Sequence, residues 1–291
     1  MSFYPFVRSY DELLSELFRL GLELPLSADF SILGSSLSFN YDSGGKQTKV
    51  TIPNRFVVQP MEGFDSGEFG EPLERGFRRY ERFASGGAGL IWFEATAVLP
   101  EARSNSRQFW INKKSASAFA SLVEQTRSVA RKQIGHDIVT IIQLTHSGRY
   151  SKPERGVRSP IIAQHNEVLD VAQGISGDYP LVTDSELMRI QDAFVSAAVL
   201  LSSCGFDGID VKSCHGYLLN ELLGARTRDG KYGGCFENRV RFLCETVQRI
   251  REAVPSVFVT SRLSAYDAVK FPWGFGVAED DYKRADLTEV R

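Results

Sequence analysis

Residues 89–98 read GLIWFEATAV, a nearly continuous apolar run with the polar side chains Glu94 and Thr96 towards its end. Such a run is typical of a strand that is buried on both faces of a parallel sheet. Other short runs rich in Val, Ile and Phe lie at 56–59, 137–144, 207–212 and 257–263. Amphipathic stretches near 72–86, 114–134, 184–204 and 236–254 separate the runs and predict helices. This alternation predicts an α/β fold in which helices cover a parallel sheet.

Polar side chains cluster just after each apolar run or at its end. They are Glu62, Glu94, Thr96, Gln143, His146, Lys212, His215 and Arg262. In a (β/α)8 TIM barrel such positions lie on one rim, where active sites are built. A doubly wound open sheet also carries its function at strand ends, but it normally opens with a glycine-rich phosphate loop. Because Pro60-Met-Glu-Gly-Phe64 follows the first run instead, the pattern favours the barrel.

The first 53 residues precede this pattern. Ser9, with Glu12 three residues later, is typical of the start of a helix. Two β-like stretches, 31–39 and 49–52, flank the turn-rich residues 40–45 and predict a hairpin. The sequence therefore predicts an N-terminal helix and β-hairpin over residues 1–53, followed by a TIM barrel over residues 54–291.

The barrel is expected to be incomplete. About five of the eight βα units of a TIM barrel are recognisable, and residues 278–291 read as the start of a further helix. An open sheet of that size leaves unpaired strand edges. The long connection at 147–183 is rich in Arg, Ser, Pro and Gly, which is typical of a lid or binding loop.

Composition narrows the class of protein. The 291 residues carry 34 Lys and Arg against 36 Asp and Glu, so neither nucleic acid nor an anionic membrane is a predicted partner. No apolar run is long enough to span a bilayer, and the N-terminus is a poor signal peptide. The cysteines are Cys204, Cys214, Cys235 and Cys244. They form no CxxC pair, which predicts no metal site and favours free thiols in the cytoplasm.

Two stretches carry a family resemblance. The first is Gln143-Leu-Thr-His-Ser-Gly-Arg149, and the second is DVKSCHGYLLNELLGARTRDGKYGGCFENRVRF at residues 210–242. Together with 54–61, 94–98 and 261–264, they resemble the old yellow enzyme family of FMN-dependent oxidoreductases, in particular its bacterial NADH:flavin oxidoreductase branch. The resemblance covers roughly residues 50–280 and implies a TIM barrel.

The resemblance implies a flavin that lies across the top of the barrel. Pro60 and Met61 would face it through backbone groups, and the small Ala95 would let the ring approach closely. Gln143 would hydrogen-bond the pyrimidine edge, since an amide donates and accepts at once. Arg262 would lie near N1 and the C2 carbonyl, where a cation stabilises the anionic reduced flavin. The implied cofactors are FMN and, as hydride donor, NADH or NADPH.

On the substrate side, the resemblance implies Lys212, His215 and Tyr217 as catalytic residues. In this family two donors hold the carbonyl or nitro oxygen of an activated alkene, and a tyrosine supplies a proton to carbon. The first donor is usually His or Asn, so Lys212 is a departure. The resemblance also places Glu62 among the cofactor-binding residues. It is a second departure, because relatives commonly carry Thr or Cys at this place beside the flavin C4 carbonyl. Lys212 is open to three roles: substrate donor, flavin contact, or partner of Glu62.

Several other polar residues have structural alternatives. His146 and Arg149 suit loop anchors and substrate contacts equally well. Asn238, Arg239 and Arg241 stand at a predicted helix start and are expected to anchor that helix and its loop.

The sequence leaves two classes of function. One is an FMN-dependent oxidoreductase that passes hydride from NAD(P)H through flavin to an activated C=C bond of a small-molecule substrate. The alternative is a catalytically inactive, truncated barrel that does not retain FMN, because such barrels bind phosphate after strands seven and eight. If the chain is complete as given, we expect weak or no FMN binding and a tendency to aggregate or to recruit a second chain. A homo-oligomer is left open.

Overall fold

The computed structural model of the protein describes residues 7–27 and 29–290. Helix α1 spans Tyr10–Leu20, and the Ser9 side chain accepts a hydrogen bond from the backbone N–H of Glu12 over 3.1 Å. Gly21 ends the helix in the left-handed conformation, with φ at 62°. The helix start that the sequence predicts is therefore present.

An antiparallel hairpin follows α1, with strand β1 at Leu37–Asp42 and strand β2 at Gln47–Ile52. The predicted hairpin is confirmed, but its first strand begins later than the sequence indicates. Ser31–Gly34 forms a 3-10 turn instead. The Asp29 carboxylate accepts a hydrogen bond from the backbone N–H of Ser31, and such local side-chain bonds compete with strand pairing.

Five parallel strands form the central sheet: β3 Val57–Val58, β4 Leu90–Ala97, β5 Val139–Thr145, β6 Gly208–Val211 and β7 Phe258–Thr260. They lie side by side in chain order. The remaining helices are α2 Glu74–Ser85, α3 Ala116–Gln133, α4 Glu167–Gln173, α5 Asp184–Ser203, α6 Leu218–Leu223 and α7 Phe236–Ala253. The four predicted long helices agree with α2, α3, α5 and α7, whereas α4 and α6 are additional. Within the described ranges, no helix is long and apolar enough to cross a membrane.

Different parts of the chain cover the two faces of the sheet. On the outer face, Ile91 and Phe93 are fully buried in the core that the helices share. On the inner face, Leu90 and Phe258 pack with Ile52 of the hairpin, near the amino ends of the strands. The hairpin therefore closes the amino ends, and the carboxyl ends are left to carry polar side chains.

The sheet is open, with β3 and β7 as its edges. The α/β class and the parallel sheet that the sequence predicts are confirmed. A closed (β/α)8 barrel is not, because residues 7–27 and 29–290 contain no strand pairing between β3 and β7. The division into an extension over 1–53 and a barrel over 54–291 stays a prediction.

The final stretch, residues 278–290, does not form the helix that the sequence predicts. The Asp286 carboxylate accepts hydrogen bonds from the backbone N–H and the hydroxyl of Thr288, and such bonds favour turns over helix. Glu289 pairs with Arg239. Arg239 Nε also donates to the Gly234 carbonyl over 3.0 Å, so this arginine ties α7 to the loop before it, as expected. The last residue of the predicted helix lies outside the described part of the chain.

Candidate active site

The carboxyl ends of the parallel strands bring the predicted site residues to one rim. Pro60, Met61 and Glu62 follow β3, Ala95 lies in β4, Gln143 in β5, Lys212 directly after β6, and Arg262 after β7. Pro60 and Ala95 are buried, whereas 68% of the surface of Met61 is exposed. A register shift between Phe93 and Thr96 interrupts the pairing of β4 with β5 beside Ala95.

Gln143 and Asp210 form a buried pair across β5 and β6. Gln143 Nε2 donates to Asp210 Oδ2 over 2.6 Å, and the Thr260 hydroxyl donates to Oδ1 over 3.3 Å. An ionised carboxylate accepts hydrogen bonds and donates none, so Gln143 turns its NH2 group towards Asp210. Its Oε1 is buried and has no hydrogen-bond partner among the described residues. An orphaned buried acceptor indicates a missing donor, such as a ligand.

The Asp210 carboxyl is expected to make the stability of the fold depend on pH. Burial raises its pKa from 3.8 to about 6, although the Gln143 hydrogen bond opposes the rise. Its contribution to stability is therefore fully present below pH 3.8 and is lost as the pH rises through about 6. The free energy of unfolding of Asp210→Asn, relative to that of the wild type, should rise by about 1–3 kcal/mol between pH 4 and pH 8. Urea denaturation across that range measures the gain, and a difference that stays constant would contradict it.

A second cluster joins Glu62, Lys212, Tyr217 and Ser104. Lys212 Nζ lies 3.4 Å from Glu62 Oε1 and 4.1 Å from the centroid of the Tyr217 ring. The Ser104 hydroxyl donates to Glu62 Oε2 over 3.2 Å. The side chains of Lys212 and Glu62 are 4% and 12% exposed, so the ion pair is largely shielded from water. Of the three roles left open for Lys212, the contact with Glu62 is present.

The charges in this cluster affect its ionisable groups. Burial raises the pKa of Glu62, and Lys212 opposes that rise. Burial, and after it the charge of Glu62, raises the pKa of Tyr217 to about 12, whereas Ser104 lowers it. Tyr217 therefore keeps its proton at neutral pH, as a general acid must.

His215 lies beside this cluster in a strained conformation. Its φ is 65°, in the left-handed region that non-glycine residues rarely adopt, and its backbone N–H donates to Ser264 Oγ over 3.4 Å. Burial, followed by the charges of Lys212 and Arg262, lowers the pKa of His215. Its imidazole is therefore neutral at pH 7, with one ring nitrogen as a donor. Strain of this kind is found at functional sites.

Arg262 supplies a cation to the same rim. Its backbone carbonyl accepts a hydrogen bond from Ser213 N over 2.9 Å, which joins the chain after β7 to the chain after β6. Its guanidinium forms no ion pair with any carboxylate of the described ranges. The charge is felt by His215, and it suits an anionic ligand.

Glu94 does not join these clusters, although it lies in β4 directly before Ala95. It pairs with Arg79 and contacts the Tyr80 hydroxyl, and its Oε2 accepts from the backbone N–H of Gly63 over 2.8 Å. Burial raises the pKa of Glu94 to about 7, and Arg79 opposes the rise. Glu94 therefore fixes the loop after β3, which carries Glu62.

The loop after β5 is anchored by the two residues whose roles the sequence left open. Arg149 is fully buried, pairs with Asp170, and lies 2.8 Å from Glu221. His146 is also buried, its Nδ1 accepts from Gly148 N over 3.1 Å, and burial lowers its pKa to about 3. These contacts favour anchoring over substrate contact for both residues.

Sequence reasoning missed two of the groups that shape the site. Asp210 precedes Lys212 by two residues, so strand periodicity places both on one face, and that signal was readable. Ser104 comes from the loop after β4, where its N–H donates to Gln108 Oε1 over 2.6 Å. Gln108 in turn donates to the Ala95 carbonyl over 2.9 Å. No pattern in the sequence indicates these loop contacts, because the folded chain creates them.

Comparison with known proteins decides the family. The sequence profile of the NADH:flavin oxidoreductase / NADH oxidase family matches residues 46–279. The chain belongs to this family. A relative from Bacillus pumilus, an NADPH dehydrogenase, is 35% identical over 207 residues, which cover 70% of this chain and 57% of the relative. An NADH oxidase of Thermoanaerobacter brockii is 32% identical over 237 residues, covering 79% of this chain and 35% of the relative.

Solved structures agree with the fold of this NADH:flavin oxidoreductase family member. Old yellow enzyme from Pichia sp. AKU4542 superposes with a TM-score of 0.69 at 24% identity, covering 89% of this chain and 64% of that chain. A 2-naphthoyl-CoA reductase superposes with a TM-score of 0.67 at 20% identity, covering 83% and 36%. Identities this low show the fold alone. The chain spans 57% of the Bacillus NADPH dehydrogenase and 61% of one from Clostridium acetobutylicum.

The profile match confirms the predicted family, whose members are oxidoreductases by name. It also confirms FMN, with NADH or NADPH, as the cofactors of the class. The rim fits the flavin of this family. Among the described residues, Gln143 Oε1 is a buried acceptor without a partner, which could accept from a ring N–H, and the Arg262 guanidinium forms no ion pair, so its charge could balance a ring that becomes anionic on reduction. The described residues contain no cluster of side chains that could hold a metal.

Proposed function

We propose that this protein passes hydride from NADH or NADPH, through FMN, to an activated C=C bond of a small molecule, as an enzyme of the old yellow enzyme type. The observation that carries the proposal is the buried Oε1 of Gln143, which has no hydrogen-bond partner among the described residues. It lies at the rim that also carries Arg262, His215 and Tyr217.

On the flavin side, the residues proposed to line the FMN site are Pro60, Met61, Glu62, Ala95, Gln143 and Arg262. Asp210 fixes the orientation of Gln143, so that one carbonyl acceptor is presented to the pyrimidine edge. Arg262 balances negative charge at that edge. FMN held by these residues would supply two-electron chemistry, the transfer of hydride between the nicotinamide and a second substrate.

On the substrate side, the proposal assigns oxygen binding to His215 and proton donation to Tyr217. The neutral imidazole of His215 donates a hydrogen bond to the carbonyl or nitro oxygen, where negative charge builds during reduction. Tyr217, protonated at neutral pH, gives its phenolic proton to the α-carbon. Lys212 is the remaining candidate donor to the substrate oxygen. Its ammonium lies between Glu62 and the Tyr217 ring.

The test begins with the purified chain and added FMN. The flavin-free alternative, with its expected weak or absent FMN binding, predicts a colourless chain. The proposal predicts instead that the chain retains flavin after gel filtration, seen as visible absorbance that bleaches on anaerobic addition of NADH or NADPH. An activated alkene, 2-cyclohexen-1-one, should restore the absorbance, whereas cyclohexene, which lacks the carbonyl, should not.

A colourless chain that NADH leaves unchanged would contradict the proposal and favour the flavin-free, inactive alternative. The same gel filtration reports the oligomeric state, and we propose that any assembly is a homo-oligomer. The proposal places the protein in the cytoplasm, supported by free Cys204, Cys214, Cys235 and Cys244.

A further inference from the structure

Lys212 is not free to meet a substrate, because two neighbouring side chains hold its ammonium group. Its ammonium is held on one side by Glu62 Oε1 at 3.4 Å, and on another by the face of the Tyr217 ring at 4.1 Å. Glu62 is itself held by the Ser104 hydroxyl at 3.2 Å. Gln108 fixes Ser104 in turn, through the backbone N–H of that serine. Lys212 is therefore clamped between two side chains, with 4% of its own side chain exposed.

A clamped ammonium over a phenol ring has two physical effects. The negative face of the ring attracts the cation, which restricts where the ring can lie. The cation also favours the phenolate over the phenol, since the phenolate carries a negative charge that spreads into the ring. At 4.1 Å from the ring centroid, the Lys212 ammonium is placed to exert both effects on Tyr217 without contact between Lys212 and a substrate.

We propose that Lys212 is a positioning residue, which orients and polarises Tyr217 and does not donate to the substrate oxyanion. The inference rests on the proposed function. In the step concerned, the O–H bond of Tyr217 breaks and a C–H bond forms at the α-carbon of the substrate anion. The bonding electron pair stays on the phenol oxygen, and the Lys212 ammonium stabilises the phenolate. A proton from solvent then restores the phenol, so no redox partner enters this step.

Other groups around Tyr217 act on the same proton. Glu62, Cys214 and Tyr150 raise its pKa, and Ser104 lowers it. The Tyr150 ring lies 6.1 Å from the Tyr217 ring, centroid to centroid. A test of Lys212 must therefore read the Tyr217 phenol directly.

The first experiment uses the full chain without flavin. The protein is labelled with fluorotyrosine, whose lower pKa brings the titration into an accessible range, and Tyr217→Phe identifies the Tyr217 signal in 19F NMR. Lys212→Met should raise the pKa of that phenol by about one unit, whereas Lys212→Arg, which keeps the cation, should shift it by much less. Lys231→Met is the matched control, because Lys231 lies 5.0 Å from the Tyr232 ring, and it should leave the Tyr217 signal unmoved.

The second experiment uses the FMN-loaded chain and separates positioning from donation. Positioning predicts that Lys212→Met slows reoxidation by 2-cyclohexen-1-one about tenfold or more, and changes the affinity for p-nitrophenolate, an oxyanion probe, less than about twofold. Direct donation predicts the reverse: the probe binds about tenfold more weakly or worse, and the Tyr217 titration does not move.

The two experiments fail independently of each other. A wild-type chain that binds no FMN contradicts the proposed function alone, because the titration needs no flavin. An unshifted Tyr217 phenol in Lys212→Met overturns the inference, whatever the flavin result. Circular dichroism checks that each variant folds, and Lys212→Gln repeats both measurements should the methionine variant not fold.

Discussion

Arg149→Met is expected to lower the free energy of unfolding by about 3–5 kcal/mol, a large part of the stability of an ordinary domain. Arg149 is fully buried and pairs with Asp170 and Glu221. Its guanidinium also donates to the carbonyl of Gln164 over 2.7 Å. Removing the cation leaves two buried carboxyl groups without their counter-charge, which costs more than the ion pair contributes.

The free energy of unfolding lost in Arg149→Met should depend on pH, and the burial of Glu221 sets the direction of that dependence. Burial raises the pKa of Glu221 even with Arg149 present, although Arg149 opposes the rise. Without that cation the pKa rises further, so the stability lost grows as the pH increases from 5 to 8. Urea denaturation at both values measures the effect. Arg158→Met is the control, since Arg158 is an exposed arginine of the same loop that donates to the Gln173 carbonyl. An equal and small effect of both substitutions would refute the anchoring role.

The parallel sheet was readable from the sequence because its central strands, β4, β5 and β6, are buried on both faces. The run at 89–98 contains β4, Leu90–Ala97, and the run at 137–144 overlaps β5, Val139–Thr145. Nearly every position of such a strand carries an apolar side chain, so each strand is visible in the sequence as an apolar run. The first strand, Val57–Val58, is short, yet the apolar run at 56–59 still marks it.

Local hydrogen bonds explain where the sequence misled. Apolar residues at 31–34 and an amphipathic stretch after 278 both suggested regular elements. Neither element forms. The Asp29 carboxylate accepts a hydrogen bond from the backbone N–H of Ser31, and the Asp286 carboxylate accepts one from the backbone N–H of Thr288. Asp residues that reach their own backbone two positions ahead stabilise turns, and periodicity does not register them.

The candidate site was predictable along strands and unpredictable across loops. Gln143 and Lys212 follow from their place at the ends of β5 and β6, because parallel strands deliver their carboxyl ends to one rim. The hydrogen bond of Ser104 to Glu62 joins residues that are 42 positions apart and lie on two different loops. That contact depends on how the loops pack, which no spacing in the sequence records. Family resemblance pointed to Glu62 and Lys212 as departures, and the fold shows that the two departures meet.

Tyr217→Phe should lower the rate of alkene reduction by about 10²–10⁴-fold, the usual contribution of a general acid. The substitution removes the proton that the α-carbon needs and keeps the aromatic ring on which Lys212 rests. Flavin binding and bleaching by NADH should be unchanged, because neither uses that proton. Anaerobic stopped-flow absorbance separates the two half-reactions. Tyr150→Phe, which alters a neighbouring half-buried phenol, should leave both rates near those of the wild type. Full-speed reoxidation of Tyr217→Phe would remove Tyr217 from the proton-donor role, and an equal slowing of both half-reactions would indicate a displaced flavin instead.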